Sequence, residues 1–229
     1  LGKLGSPGSN AISHGNFGVE QRVHQSAVKF MRKRIAAASA SQDVIGLHNA
    51  FAQYSLLLLV AATAHRKSTT PFFFPWDLHL DQQLAFIADK CLAGSEARFV
   101  PLAEVAAAQI ESYFRHLRTL YYKLDDTNLP AKEQIIRLIA LEPNSRNSVV
   151  SQPLQAHAGL FFEICPDGTL QTITTGKLDK LLKSTGIAAA IGQFRKALAD
   201  ALWGKGLSGL EVAALLGHAN ELHPFGPAS

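Results

Sequence analysis

Apolar residues recur every three or four positions in several long stretches of the chain, and this spacing predicts α-helices. The first helix is predicted over residues 19–40, after a flexible lead-in at residues 1–18. Ser41 or Asp43 can cap a second helix that runs to about Ala64. The inner side of this second helix is predicted to carry Leu47, Ala50, Phe51, Tyr54, Leu57 and Leu58.

A different pattern follows the second helix. Pro71 and Pro75 exclude a regular helix there, and they predict an extended passage through Phe72, Phe73 and Phe74. Alternating apolar and polar residues then predict a meander of short strands. The residues that indicate these strands are Trp76, Leu78 and Leu80, then Leu84, Phe86 and Ile87, then residues 98–102.

The rest of the chain is predicted to be mainly helical. Helices are predicted at residues 103–124, 130–141, 177–184, 188–203 and 209–216, the last one ending at Gly217 as a C-cap glycine. Residues 142–153 are predicted to be a polar loop, and residues 160–164 and 170–174 a hairpin. Together these elements predict an α+β fold that is mainly helical with a small antiparallel sheet.

Composition adds a mild positive charge to this picture. The 229 residues include 22 Lys and Arg against 18 Asp and Glu, which gives a net charge of +4. This excess permits a polyanionic partner without requiring one. Much of it lies on the polar side of the first helix, which is either a solvated helix face or a surface that contacts a nucleic-acid backbone. That side carries Arg22, Lys29, Arg32, Lys33 and Arg34.

Two other features narrow the class of protein. Cys91 and Cys165 show neither metal-ligand spacing nor a disulfide framework, which indicates the reducing interior of a cell. The apolar run at residues 56–64 is roughly half as long as a membrane span, and we interpret it as part of a buried core helix. The first residues lack a basic segment followed by a long apolar one, so secretion is not indicated. We therefore expect no membrane partner.

Four basic residues, each within a short motif, are candidates for a functional site. Arg66 follows the second helix, and Lys90 lies in a predicted turn of the meander, between Trp76-Asp77 and the run Arg98-Phe99-Val100-Pro101-Leu102. Arg195 lies on a later helix, in Gly192-Gln193-Phe194-Arg195-Lys196, and His218 ends the run Leu215-Leu216-Gly217-His218. This ordered set resembles the catalytic domain of the tyrosine recombinases, the phage-integrase family. The resemblance covers residues 44–218, and residues 103–185 match only in pattern.

The resemblance implies DNA strand breakage and rejoining through a phosphotyrosine, on double-stranded DNA and without a metal or other cofactor. It gives Arg66 and Arg195 the role of binding the non-bridging phosphate oxygens, which suits guanidinium geometry. It gives Lys90 the role of general acid for the leaving 5′-oxygen, and His218 that of a hydrogen-bond donor to the phosphate. It also implies assembly as a homotetramer on DNA, and a location in the cytoplasm with the bacterial nucleoid, or in a nucleus. Further DNA contacts are expected from Arg32, Lys33, Arg34, Lys67 and Lys196.

The chain departs from the family pattern at three places. Gly192 stands where a histidine opens the family's "H-x-x-R", and Lys196 stands where a second histidine is frequent. The nucleophilic tyrosine usually follows "LGH" by about nine residues, and that position is Pro227 here. The tyrosines of the chain all lie upstream, at Tyr54, Tyr113, Tyr121 and Tyr122. We therefore expect residues 19–229 to be one recombinase-like catalytic domain, truncated or degenerate at its C-terminus, that forms no covalent adduct with DNA.

Three interpretations of the missing tyrosine remain open. In the first, the chain is a fragment of a recombinase whose tyrosine lies beyond Ser229. In the second, it derives from a recombinase and binds DNA without cutting it, which the loss of histidine at Gly192 also suits. In the third, it is an unrelated helical protein-interaction domain. The third is separated from the others by whether Arg66, Lys90, Arg195 and His218 converge in space.

Overall fold

The computed structural model describes residues 17–66, 71–72, 74–87, 97–141, 158–187 and 191–216, with the backbone alone for residues 17–23. The helices are α1 Phe17–Ala40, α2 Val44–Thr63, α3 Glu104–Lys123, α4 Leu129–Ala140, α5 Thr175–Ser184, α6 Ile191–Gly204 and α7 Gly209–Leu216. The strands are β1 Leu78–His79, β2 Leu84–Ile87, β3 Arg98–Pro101, β4 Phe162–Ile164 and β5 Leu170–Thr172. The fold is therefore α+β and mainly helical, as the sequence pattern predicts.

Helix α2 lies at the centre of the molecule. It packs against α1, α3, α6 and β4, and it is buried on nearly every side. By length and composition alone it could cross a membrane, and it is the one described helix with that property. The inner side predicted for α2 was too narrow, because Leu56, Leu59 and Val60 are fully buried whereas Leu47 and Leu58 are only half-buried. A helix with neighbours all round has no polar face from which an inner side can be deduced.

The start of α2 depends on one of its two candidate caps. The Asp43 side chain accepts a hydrogen bond from the Gly46 backbone N–H at 2.8 Å, so Asp43 is the N-cap. Ser41 belongs to the end of α1, where its hydroxyl donates to the Ala38 carbonyl at 3.1 Å. The turn between α1 and α2 is therefore tight, and it brings the two helices side by side.

Strands β1, β2 and β3 form the predicted meander, an antiparallel sheet with β2 in the middle. Leu78, Ala85, Ile87 and Val100 point into the core from one face of this sheet. Strands β4 and β5 form the predicted antiparallel hairpin. The predicted polar loop at residues 142–153 lies outside the described residues.

The entry into the meander differs from the predicted extended passage. Phe72 has a positive φ of 47° and is buried in a turn, where its ring packs against His65 at a centroid distance of 4.9 Å. Trp76 was predicted in a strand, but it lies in the 3₁₀ turn Pro75–Asp77, exposed and stacked on Phe74 at 4.3 Å. The predictions for Phe72 and Trp76 were wrong because adjacent prolines favour turns as well as extended chain. Phe74 is extended as predicted, with φ −111° and ψ 146°. Phe73 lies outside the described residues.

The position of α6 is fixed by α5. Gly186 has a φ of +74°, which reverses the chain after α5. The Asp179 carboxylate is 5% exposed and accepts a hydrogen bond from the Ile191 backbone N–H at 2.9 Å, at the first residue of α6. A carboxylate at this end of a helix is stabilised by the unpaired N–H groups and by the helix dipole. The contact sets where the α6 residues, including Arg195, meet α2.

Candidate phosphate-binding site

Arg66 follows a tight turn at the C-terminal end of α2. Ala64 adopts a left-handed conformation with φ 51° and ψ 38°, and its N–H donates to the Val60 carbonyl. The His65 N–H donates to the same carbonyl at 3.2 Å, and the His65 Nδ1 atom lies 2.7 Å from the Arg66 carbonyl oxygen. The carbonyl of half-buried Arg66 is thus held by the His65 ring, and the helix ends before Arg66 as predicted.

Arg195 connects the ends of two helices. Its Nη1 atom donates to the Ala64 carbonyl of α2 at 3.0 Å, and its Nη2 atom donates to the Leu216 carbonyl at the end of α7. The last carbonyls of a helix lack partners within the helix and carry partial negative charge, so a guanidinium is a favourable partner for them. The Arg195 side chain therefore binds both Ala64, which precedes Arg66, and Leu216, which precedes His218.

Arg98 adds a third arginine to the same place. Its Nε atom donates to the Leu215 carbonyl at 3.1 Å, which joins β3 to the end of α7. Below these contacts lies a small apolar cluster formed by Ala64, Ala199, Val212 and Leu216, packed against Leu198, Leu202 and Leu207. We call Arg66, Arg98 and Arg195 the arginine cluster. It lies where the ends of α2, α7 and β3 meet.

The predicted catalytic residues are therefore partly located. Arg195 binds the carbonyl of Ala64, two residues before Arg66, and the carbonyl of Leu216, the last described residue before His218. Lys90, Lys67 and His218 lie outside the described residues. Lys196 is exposed on α6 next to Arg195.

Gly192, the position that departs from the family pattern, lies on the exposed side of α6 in the helical turn before Arg195. A Cβ atom at Gly192 would meet no atom within 4 Å among the described residues. Among the described residues, nothing obstructs a larger side chain at this position.

The predicted basic surface on α1 divides into two kinds of residue. Arg32 and Lys33 are exposed, and the Arg32 Nε atom also donates to the Tyr54 hydroxyl at 3.2 Å. Arg34 is not part of this exposed surface. It is half-buried, its Nη1 atom donates to the Gln53 Oε1 atom, and its guanidinium lies 5.8 Å from the centre of the Phe30 ring.

Arg34 belongs to a polar network in the interior. The Gln53 Nε2 atom donates to the Glu163 carboxylate at 2.5 Å, and the Lys177 ammonium binds the other oxygen of that carboxylate. Burial lowers the pKa of Arg34, and the charge of Glu163 opposes this effect. We therefore correct the assignment of Arg34 from a DNA contact to a structural residue, because its side chain turns toward α2 and β4.

The tyrosines do not supply a nucleophile to the arginine cluster. Tyr54 is buried and bound by Arg32. Tyr113 is fully buried, donates to the Leu160 carbonyl at 3.1 Å, and has its pKa raised strongly by burial. Tyr121 and Tyr122 lie in the last turn of α3, and Tyr122 is 85% exposed.

Two features of the structure were not found from the sequence. The Arg98–Leu215 contact joins residues 117 positions apart, and the buried pair of His48 and His116 joins residues 68 positions apart. Neither leaves a local pattern in the sequence. Within the part of the chain that the structure describes, no group of three or more His, Cys, Asp or Glu side chains is arranged to hold a metal ion.

Comparisons with known proteins add no relative. No protein-family model matches the chain, and neither a curated protein nor a solved structure matches it. The function must therefore be argued from the order of the motifs and from the arginine cluster.

Proposed function

We propose that this chain is a DNA-binding domain of the tyrosine-recombinase type, in which Arg66 and Arg195 bind one backbone phosphate of double-stranded DNA. One observation supports this proposal above the others. Arg195 binds the carbonyls of Ala64 and Leu216, two residues before Arg66 and two residues before His218 respectively. Arg195 thus joins the chain segment before Arg66 to the end of α7, and this supports the assignment of Arg66 and Arg195 to one phosphate.

The chemistry of the arginine cluster suits a phosphodiester. A guanidinium offers parallel N–H donors to two oxygens, and it stays charged at every physiological pH. Carbonyls that fix the guanidinium before the ligand arrives reduce the cost of ordering it on binding. In the same proposal Lys90 and His218 complete the site, as general acid and as hydrogen-bond donor.

For the 229-residue chain we propose binding without strand cleavage. Tyr54 and Tyr113 are buried and hydrogen-bonded, and no tyrosine follows Tyr122 in the sequence. Incubation with a duplex that carries a 5′-labelled strand tests this directly. A DNA–protein adduct that survives denaturation would contradict the proposal of a binding-only chain.

A helical protein-interaction domain is the second candidate, and one observation favours it. Leu129 and Ile136 are 58% and 52% exposed on α4, and their spacing of seven residues places them on one side of that helix. Exposed apolar side chains aligned on a helix are typical of surfaces that bind another helix. This candidate predicts no DNA binding that depends on Arg66.

The decisive experiment compares DNA affinity at several salt concentrations. A fluorescent duplex is titrated with the wild-type chain, with Arg66→Gln and with the matched control Lys180→Gln, which removes an exposed charge on α5. Each neutralised phosphate contributes about 0.9 to the slope of log K against log salt, so Arg66→Gln is expected to reduce the slope by about 1. Lys180→Gln is expected to leave affinity and slope unchanged.

Arg195 needs a different variant because its hydrogen bonds to Ala64 and Leu216 also stabilise the fold. Arg195→Lys keeps the positive charge but loses the planar pair of donors. We expect weaker DNA binding with a nearly unchanged salt slope. The free energy of unfolding of Arg195→Lys is measured in parallel, to separate a loss of binding from a loss of stability. Arg66→Gln and Lys180→Gln binding DNA equally at all salt concentrations would refute the phosphate site and favour the interaction domain.

A further inference from the structure

A cavity of about 420 Å³ lies away from the arginine cluster, at the turn between α1 and α2. The end of α1, the start of α2 and the C-terminal half of α3 form its walls, which include Val44, Leu47, His116, Leu120 and Lys123. This volume is within the range of sites that bind small molecules, and such sites combine apolar walls with a few fixed polar groups. The proposed DNA function makes no use of this cavity.

His116 lines the cavity and stacks on His48, which lies behind it. The rings of His48 and His116 lie 5.5 Å apart at an angle of 6°, and His48 Nδ1 is 3.3 Å from His116 Nε2. His48 is fully buried behind His116. His116 is thus held in one orientation by a residue that no ligand reaches.

The tautomer of His116 is coupled to that of His48. The proton of His48 has two acceptors within reach, His116 Nε2 and the Phe162 backbone. A carboxylate ligand selects the tautomer in which His48 Nδ1 donates to His116 Nε2. A neutral His116 then carries its own proton on Nδ1. Because His116 lines the cavity, this N–H is the donor that a ligand there can meet.

The charged groups of the cavity are unequally available. The Asp43 carboxylate is committed to the start of α2, since one oxygen accepts the Gly46 N–H and the other occupies the space that a Cβ atom at residue 46 would need. Lys123 lies in the last turn of α3, close enough to act on the charge of His116. The Lys123 ammonium and the His116 imidazole therefore line one cavity together with the apolar side chains of Leu47 and Leu120.

We propose that this cavity binds a small amphipathic carboxylate. Its apolar body packs against Val44, Leu47 and Leu120, and its carboxylate accepts hydrogen bonds from the Lys123 ammonium and from His116 Nδ1. Hydrogen bonds between charged groups are the stronger kind, so the acid is preferred over a neutral molecule of the same shape.

The test uses benzoate as the probe and benzamide as its uncharged counterpart. Each is titrated to about 20 mM while the histidine Cε1–H signals are followed by NMR, because a ligand of this size binds with a Kd on the order of 1 mM. We expect benzoate to shift the His116 signal and benzamide to bind about tenfold more weakly. The His116 signal is assigned by its loss in His116→Phe.

Two lysine variants complete the design. Lys123→Met is expected to weaken benzoate binding about tenfold, and the matched control Lys180→Met is expected to leave it unchanged. Both lysines are exposed on helices, so neither change should disturb folding. The proposal is overturned if benzoate leaves the His116 signal in place, if benzamide binds as well as benzoate, or if the two lysine variants bind benzoate alike.

Discussion

The buried histidine pair predicts that the protein loses stability in mild acid. Burial lowers the pKa of His48 from 6.5 to about 3, and His116 adds to this effect against an opposing contribution from the Phe162 backbone. Burial, followed by the charge of Lys123, lowers the pKa of His116 from 6.5 to about 4. Both rings are therefore neutral in the folded protein at pH values where the unfolded chain already binds protons.

The sign and size of the effect follow from these values. A pKa that is lower in the folded state contributes stability that is present above the unfolded pKa of 6.5 and is lost as the pH falls below it. At pH 5 the unfolded chain holds nearly one proton on each histidine and the folded protein almost none. The free energy of unfolding should then fall by about 2 kcal/mol for each ring, or about 4 kcal/mol in total, relative to pH 8.

Asp77 acts in the opposite direction. Burial raises its pKa from 3.8 to about 6, despite the opposing effects of the Phe74 N–H and of His79. A carboxyl whose pKa is raised in the folded state binds a proton more readily there than in the unfolded chain. Lowering the pH toward 5 therefore stabilises the folded state at Asp77. Between pH 8 and pH 5 this gain amounts to about 1.5 kcal/mol, which leaves a net loss of about 2.5 kcal/mol.

Urea unfolding at pH 8, 6.5 and 5, followed by circular dichroism, measures these quantities. The double variant His48→Leu, His116→Leu should lose the acid-induced drop, whatever its stability at pH 8. Asp77→Asn should enlarge the drop by about 1.5 kcal/mol, because it removes the opposing group. An unfolding free energy of the wild-type chain that is equal at pH 8 and pH 5, or a drop of undiminished size in the double variant, would show that the two rings do not titrate as their burial requires.

Two further predictions concern α1 and α6. Arg34→Ala should lower the free energy of unfolding by about 1–3 kcal/mol, because it leaves polar groups of the interior network unpaired, whereas Lys33→Ala should change it by less than about 0.5 kcal/mol. Urea unfolding of both variants checks this, and equal losses would place Arg34 in solvent. Gly192→Ala should raise stability by about 0.5–1 kcal/mol, since it favours the helix and its Cβ meets open space. Thermal unfolding compares it with Gly186→Ala, which should destabilise the protein because Gly186 has a positive φ of 74°. A lower melting temperature of Gly192→Ala would refute the inference that a Cβ atom fits there.

The helices and the meander could be predicted because their signals are local. Caps, prolines and the spacing of apolar residues lie within a few positions of the structure that they specify, as Asp43 and Pro130 do for α2 and α4. The prediction for Arg34 failed because its outcome depended on distant neighbours. Arg34 has the same local context as Lys33, and only Gln53 and Glu163, which come from α2 and β4, turn it inward.

The candidate site shows the same limit. The order of Arg66, Arg195 and His218 could be noticed in the sequence, but no local rule says that Arg195 binds the carbonyls of Ala64 and Leu216. Those carbonyls are unpaired only because two helices end there, and the helices meet only because the apolar cluster beneath them packs. A contact that requires three elements in place at once cannot be deduced from any one of them.

The two hydrogen bonds of Arg195 also imply an order of folding. One contact spans 21 residues and the other 131 residues. Closing the shorter loop costs less chain entropy, so α6 and α7 can pair before either reaches α2. The bond to Ala64 then forms as the α6–α7 hairpin docks onto the end of the central helix. We therefore expect the bond of Arg195 to α2 to form later than its bond to α7, because it closes the longer loop.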